Sequence, residues 1–198
     1  AAAQTRIVDE PLLCFFWSPD ATRLAYVTPS EDAEGSVRWA VVSVDGGAEP
    51  RYLADFQPTQ EQLTMFMFFD QYGQSHSPWS PDGSQMAFAV DGDIYVVNAN
   101  GRERVNLTNS PDEDILPAWS PTGDVIAFMS RNQLGSDIHV VRRDGTGQTN
   151  LTDLPAVYHG FAWSPDGTRI AFASNRFGGS DIYVMSADGS SQNRLTNN

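Results

Sequence analysis

The tripeptide Trp-Ser-Pro occurs four times along these 198 residues, beginning at Trp17, Trp79, Trp119 and Trp163, at spacings of 62, 40 and 44. Seven residues after each Trp stands an aliphatic residue or Met, then Ala, then an aromatic: Leu24-Ala25-Tyr26, Met86-Ala87-Phe88, Ile126-Ala127-Phe128 and Ile170-Ala171-Phe172. A second block follows in three copies, Asp93-Ile94-Tyr95-Val96, Asp137-Ile138-His139-Val140 and Asp181-Ile182-Tyr183-Val184, each with Asn-Gly or Asp-Gly beginning seven residues after its Asp. The first copy is degenerate there and reads Arg38-Trp39-Ala40-Val41 before Asp45-Gly46. Every copy closes on a short segment with Leu near its end, at Leu53, Leu107, Leu151 and Leu195. A period of this length confines the chain to architectures in which each copy is one small unit that buries its apolar face on its neighbours.

Each copy reads as four short β segments rich in Val, Ile, Tyr, Phe and Ala, separated by turn residues and without a sustained helical period. Ser-Pro-Asp-Gly suits a tight reversal, because Pro presets φ at the second position and Gly accepts the left-handed conformation that closes the turn. Asp45-Gly46, Asn100-Gly101, Asp144-Gly145 and Asp188-Gly189 suit hairpin turns between third and fourth strands. Four antiparallel strands in roughly every 40 residues is the arithmetic of a β-propeller blade. The expected fold class is therefore all-β, a β-propeller of four-stranded antiparallel blades with four blades in this chain. Residues 11–56, 76–108, 109–152 and 153–198 are the expected blades, 57–75 an insertion between the first two, and 1–10 the last strand of a preceding blade. Second strands are expected near 23–28, 85–90, 124–130 and 169–174, with the four tryptophans in equivalent, buried positions.

The pattern Trp-Ser-Pro-Asp-Gly, x-Ile-Ala-Phe, Asp-Ile-Tyr-Val, Asp-Gly, Leu-Thr, best preserved over Trp163–Thr196, resembles the WD-like repeat of TolB-type propellers across residues 12–56 and 76–196. Ala21 replaces the turn Gly and Arg38 the Asp in the first copy, and Thr122 replaces the turn Asp in the third. The resemblance specifies the blade and not the function. Such blades occur in TolB, in extracytoplasmic binding proteins and as accessory propellers of prolyl-oligopeptidase-like hydrolases. It also implies six or seven blades, so four are expected to be part of a larger propeller. In that case Thr5-Arg6-Ile7-Val8-Asp9, which resembles Asn193-Arg194-Leu195-Thr196-Asn197, closes a further blade. A self-contained four-blade ring and a ring completed by a second copy are the alternatives, and an open arc would expose apolar blade faces and favour self-association.

Composition removes several classes of function. All 12 basic residues are Arg against 25 carboxylates, and a net charge of -13 argues against a surface that tracks nucleic-acid phosphates or anionic lipid. The longest apolar run, near Met65–Phe69, is far short of the roughly 20 residues of a membrane-spanning helix. A lone cysteine, Cys14, forms neither an internal disulfide nor a multi-cysteine metal site. Without Lys there is no Schiff-base chemistry, and Gly178-Gly179-Ser180-Asp181-Ile182 lacks the second Gly of a nucleophile elbow. No catalytic residues, cofactor or metal are expected.

In a blade, the inter-blade connections and the loops between second and third strands emerge on one face, and the tight turns on the other. The copies differ most on the first face, where specificity can vary without disturbing the scaffold. Leu63–Tyr72, within Gln57–Ser75, carries too many large apolar side chains for a solvated loop, so it either packs on the propeller or walls a partner site. The binding residues expected around this mouth are Phe69, Tyr72, His76, Arg131, Tyr158, His159, Arg176 and Phe177. His76 and His159 with Asp70, Glu113, Asp114 and Tyr158 suggest a metal or small-ligand site, but no second ligand stands at short metal-binding spacing, and loop histidines bonded to a neighbouring blade are the simpler expectation. His139, at a repeat Tyr position, is expected to be structural. Asp112-Glu113-Asp114 and Asp91-Gly92-Asp93 lack the further oxygen ligands of a calcium loop, and Asp93, Asp137 and Asp181 recur in register as architecture would. The expected function is a non-enzymatic, TolB-like propeller that binds a protein or peptide, periplasmic or otherwise extracytoplasmic, with Ala1–Ala3 as the remnant of a cleaved leader. A gating propeller of a prolyl-oligopeptidase-like serine hydrolase is the competing expectation, and a carbohydrate-binding propeller the third.

Overall fold

The computed structural model describes residues 6–32, 34–45, 49–67, 77–154 and 156–197. The first blade contains β1 (Cys14–Trp17), β2 (Arg23–Pro29), β3 (Val37–Ser43) and β4 (Arg51–Phe56), hydrogen-bonded in that order, and is followed by a helix, α1 (Gln60–Met67). The second contains β5 (Gln85–Val90), β6 (Asp93–Asn98) and β7 (Val105–Asn106). The third contains β8 (Glu113–Trp119), β9 (Val125–Asn132), β10 (Gly135–Arg142) and β11 (Thr149–Asn150), and the fourth β12 (Tyr158–Trp163), β13 (Arg169–Ser174), β14 (Asp181–Ser186) and β15 (Asn193–Arg194), each again a simple up-and-down sheet. The expected second strands are all present. Each repeat Trp pairs with the residue seven positions on, at Trp17↔Leu24, Trp79↔Met86, Trp119↔Ile126 and Trp163↔Ile170, so the four occupy equivalent sites.

In the second blade the described residues ahead of β5 contribute the Trp79↔Met86 bridge beside the sheet of β5, β6 and β7. In the third blade Pro117 has no N–H to extend a ladder, and the register shifts there between Ile115 and Ala118. The helix in the insertion departs from the all-strand expectation. Thr59 and Gln62 form a reciprocal capping box, with Gln62 N–H donating to Thr59 Oγ1 (3.2 Å) and Thr59 N–H to Gln62 Oε1 (2.9 Å). Phe66 is buried edge-on against Trp39 at 6.2 Å, so the described part of the insertion packs on the first blade.

Each Ser-Pro turn is locked by its own side chains. Asp166 Oδ1 accepts from Ser164 Oγ (2.6 Å), Thr168 N–H (3.0 Å) and Thr168 Oγ1 (2.9 Å), while Ser164 Oγ accepts from Arg169 N–H (3.0 Å). Asp20 and Asp82 repeat the arrangement, and Thr122 keeps only a single contact to Ser120, at 3.0 Å. The recurrent Asp at the head of the third strand is likewise a staple. Thr152 Oγ1 donates to Asp137 and accepts from Ile138 N–H, and Thr108 and Thr196 do the same for Asp93 and Asp181. In the first blade the polarity is reversed: Arg38 donates to Asp55 on the facing strand and also pairs with Asp32.

The chain forms two compact units, Ala1–Met86 with Val97–Arg104, and Ala87–Val96 with Val105–Asn198. In the first, Trp79 Nε1 donates to the carbonyl of Phe16 at 3.1 Å, and in the second Trp163 Nε1 donates to that of Ala118 at 3.2 Å. Each indole therefore reaches the residue just before the Trp of an earlier copy. The core of the second unit joins Ala87, Ala89, Ile94, Val96 and Leu107 of one blade to Trp119, Ile126, Phe128 and Val141 of the next. The expectation of four buried tryptophans is corrected. Trp79 and Trp119 are buried, Trp163 is half-buried and Trp17 is 52% exposed, because burial depends on what faces the indole and not on the repeat alone.

Candidate functional site

Arg131, Tyr158, His159, Arg176 and Phe177 fall among the described residues, whereas Phe69, Tyr72 and His76, with Asp70, lie outside them. The structure brings three of the five together in the fourth blade. Tyr158 opens β12 and is buried, its N–H donating to Ser136 Oγ (2.9 Å) and its hydroxyl to the Thr152 carbonyl (3.1 Å). Burial pushes its phenol above the ordinary value. Arg176 and Phe177 lie in the loop between β13 and β14, closed by Gly178 N–H donating to the Asn175 carbonyl. His159 is exposed, as alternation along a strand demands of the neighbour of a buried residue, and Arg131 lies near the end of β9 opposite Glu113 and Ser136.

Repeat architecture builds the base of this cluster. Phe172 of the x-Ile-Ala-Phe block stacks on Tyr183 of the Asp-Ile-Tyr-Val block at 5.4 Å, and Tyr158 leans on Phe172 at 5.7 Å. The Arg176 guanidinium covers this base, 3.9 Å from the Tyr183 centroid, 5.4 Å from Phe172 and 5.9 Å from Phe177. Its Nη1 donates to Gln192 Oε1 at 2.6 Å, and Gln192 is itself fixed by donating to the carbonyls of Leu151 and Gly189. A cation held over several rings gains about 0.5–2 kcal/mol per contact, depending on desolvation, so the loop is preorganised. Phe177 rises from it 67% exposed, with the Arg194 guanidinium 5.8 Å from its centroid and Arg194 paired with buried Asp181. Arg176 Nε and the Tyr183 hydroxyl are buried without a hydrogen-bond partner among the described residues. The fourth blade thus presents an exposed aromatic ring beside a guanidinium fixed over a ring stack. Phe172 and Tyr183 were not legible as site residues, since their pattern marks them as scaffold; the signal was their position two strands' ends below Arg176.

His139 lies against Phe128 at 5.5 Å with its ring tilted by 35°, in the place where Tyr95 stacks on Phe88 and Tyr183 on Phe172, which gives it a structural place. Burial lowers its pKa, against the opposing pull of Asp137, Asp114 and Asp112. Asp114 is fully buried, and burial raises its carboxyl above the ordinary range; Ser130 and Thr108 lie beside it, but among the described residues neither oxygen has a partner in hydrogen-bonding geometry. Among the described residues no group of three or more His, Cys, Asp or Glu is placed to hold a metal ion. Cys14 is buried, and its thiol is pushed up to about 12 by that burial. No helix of the described residues is long and apolar enough to cross a membrane.

Comparison with known proteins supplies the wider frame. The family profile of the TolB beta propeller domain matches residues 79–198. The chain is 30% identical over 119 residues to the uncharacterised peptidase YuxL of Bacillus subtilis, covering 56% of this chain and 16% of that protein. It is 33% identical over 88 residues to dipeptidyl-peptidase 5 of Porphyromonas gingivalis, covering 39% of this chain and 13% of that protein. Among solved structures, a TolB protein of Agrobacterium tumefaciens superposes with a TM-score of 0.66 at 23% identity, over 91% of this chain and 63% of the other. The chain thus spans about a sixth or less of the curated relatives' length, and the structural likeness is one of fold.

Proposed function

The chain belongs to the TolB beta propeller domain family, and on that footing we propose that it is a non-catalytic propeller scaffold that binds a protein or peptide on its loop-rich face. The observation that carries this proposal is the Arg176 platform: a preorganised cation over the Phe172–Tyr183 stack, beside an exposed Phe177. Aromatic and Arg anchors of this kind dominate binding energy at protein interfaces, while the acidic periphery of a chain with net charge -13 acts mainly on association rate and salt dependence. Arg131 and His159 complete the proposed surface, and Phe69, Tyr72 and His76 lie outside the described residues. An extracytoplasmic location accompanies this proposal.

The second proposal is a propeller that gates substrate access to a peptidase domain, and what favours it is the sequence likeness to two peptidases. Both proposals place a peptide on the same face, and one experiment addresses that shared claim. Peptides selected from a display library against the immobilised chain are titrated into the wild type and into Phe177→Ala. Phe177→Ala is expected to weaken binding by more than about 1 kcal/mol with little change in thermal stability. Unchanged binding in that variant, with loss of binding in Asp82→Ala or Asp166→Ala, would place the site on the turn face and end the proposal. Gating is separated from simple binding by hydrolysis assays on the longer polypeptide, where it predicts a KM that changes with Phe177→Ala.

A further inference from the structure

We propose that Asp114 is a proton-operated catch between the second and third blades: as a carboxylic acid it donates to Thr108 of the second blade, and as a carboxylate it releases that strand end. The basis is a comparison with the next seam along the chain. Tyr158 stands five residues before Trp163 and pairs with Ser174, and Asp114 stands five residues before Trp119 and pairs with Ser130. The two side chains therefore occupy the same repeat position. Tyr158 donates its hydroxyl to the Thr152 carbonyl, just past the closing strand of the blade before it, at 3.1 Å. A phenol keeps its proton at any ordinary pH, and more firmly here because burial pushes it up, so that bond is permanent. Thr108 is the repeat equivalent of Thr152, each accepting the N–H of the Ile that follows the recurrent Asp, and the shorter, titratable Asp114 lies beside it.

The hydrogens present decide which partner is the donor. Thr108 Oγ1 commits its one hydrogen to Asp93 Oδ1 at 3.3 Å and accepts from Ile94 N–H at 3.1 Å, which leaves a lone pair and no hydrogen for Asp114. Asp93 is further occupied by Asn106 Nδ2 (2.8 Å) and Ser110 N–H (3.1 Å). Both oxygens of Asp114 are buried without a donor in hydrogen-bonding geometry among the described residues, and the Ser130 hydroxyl brings at most one hydrogen to the two. The charges nearby do not balance a carboxylate. Asp93 on β6 is of like sign, as are Asp112 and Asp137 beside His139; burial favours the neutral form of His139 on β10; Glu113 and Arg131 alternate onto the opposite face of their strands. An ionised Asp114 is thus an uncompensated buried charge, whereas a protonated one has a lone pair to meet. Its backbone already ties the two blades, the N–H donating to the Gly92 carbonyl at 2.8 Å. Because burial raises the folded carboxyl, the stability it confers is full below the unfolded value and is lost as pH rises through the folded one.

The test follows exchange of the Ile94 amide, which Thr108 holds, in wild type, Asp114→Asn and Asp114→Ala. Protection is taken relative to the unfolded rate at each pH, and His139 is common to all three chains, so its own titration is shared. In wild type, protection is expected to fall by about tenfold between about pH 4 and about pH 9, in step with the carbon-13 shift of the Asp114 carboxyl. Asp114→Asn, whose amide donates at every pH, should hold the high protection throughout, and Asp114→Ala the low. Ile138 N–H, held by Thr152 at the Tyr158 seam, should stay level in all three. An equal fall in Asp114→Asn overturns the proposal. So does a wild-type carboxyl that ionises in the ordinary carboxylate range, that stays protonated across the whole span, or that ionises with no change at Ile94, and this reading requires no variant to fold.

Discussion

A single carboxylate oxygen organises each of the Asp-bearing Ser-Pro turns, and the consequence can be measured at the residue level. Three donors around Asp166 favour its charged form, the Ser164 hydroxyl foremost, and hold its pKa down to about 2; Asp20 is held at about 2 in the same way. A folded pKa below the unfolded value of about 4 means that Asp166 adds stability which is fully present above pH 4 and lost as pH falls through about 2. Denaturation of wild type and Asp166→Ala should therefore differ most at pH 6 and converge progressively as pH falls from about 4 through about 2. Ala21 offers a second residue-level prediction. It closes its turn at φ 56°, where Gly83, Gly123 and Gly167 sit at 68°, 75° and 69°. A side chain in that region is strained, and Ala21→Gly is expected to stabilise the chain by about 0.5–1 kcal/mol in urea titrations.

Among the elements, the repeated tryptophans share a register but not a burden. Trp119 is 8% exposed within the core of the second unit and Trp17 is 52% exposed. Trp119→Ala should cost about 3–5 kcal/mol and Trp17→Ala less than about half of that, read from denaturation midpoints. Equal losses would contradict the packing described. The second and third strands were legible because their alternation and β-branched residues recur four times with the same spacing from Trp. Helix α1 was hidden because the apolar run over Leu63–Tyr72 draws attention to loops, although Thr59 and Gln62 stand at capping-box spacing in plain view. The grouping of Tyr158, Arg176 and Phe177 was legible from position, since the repeat fixes which loops share an end. The stack beneath Arg176 needed coordinates, because Phe172 and Tyr183 carry the same letters as their scaffold equivalents.

For the whole molecule, the repeat determines which face of each sheet is apolar but not what covers it. Ile94 and Ile138 are fully buried, whereas Ile182 at the same repeat position is 49% exposed; Leu107 and Leu151 are 7% and 5% exposed and Leu195 is 62%. Identical side chains therefore serve as core in one blade and as surface in another. The proposed function divides along the same line, with the Ser-Pro turns holding the scaffold and the longer loops free to vary. The most direct test is an amide-exchange footprint of a library-selected peptide bound to the chain. Slowed exchange over Val157–His159 and Asn175–Ser180, with the turns at Ser80–Ser84 and Ser164–Thr168 unchanged, is the predicted result. A footprint on those turns with none at Asn175–Ser180 would contradict the account.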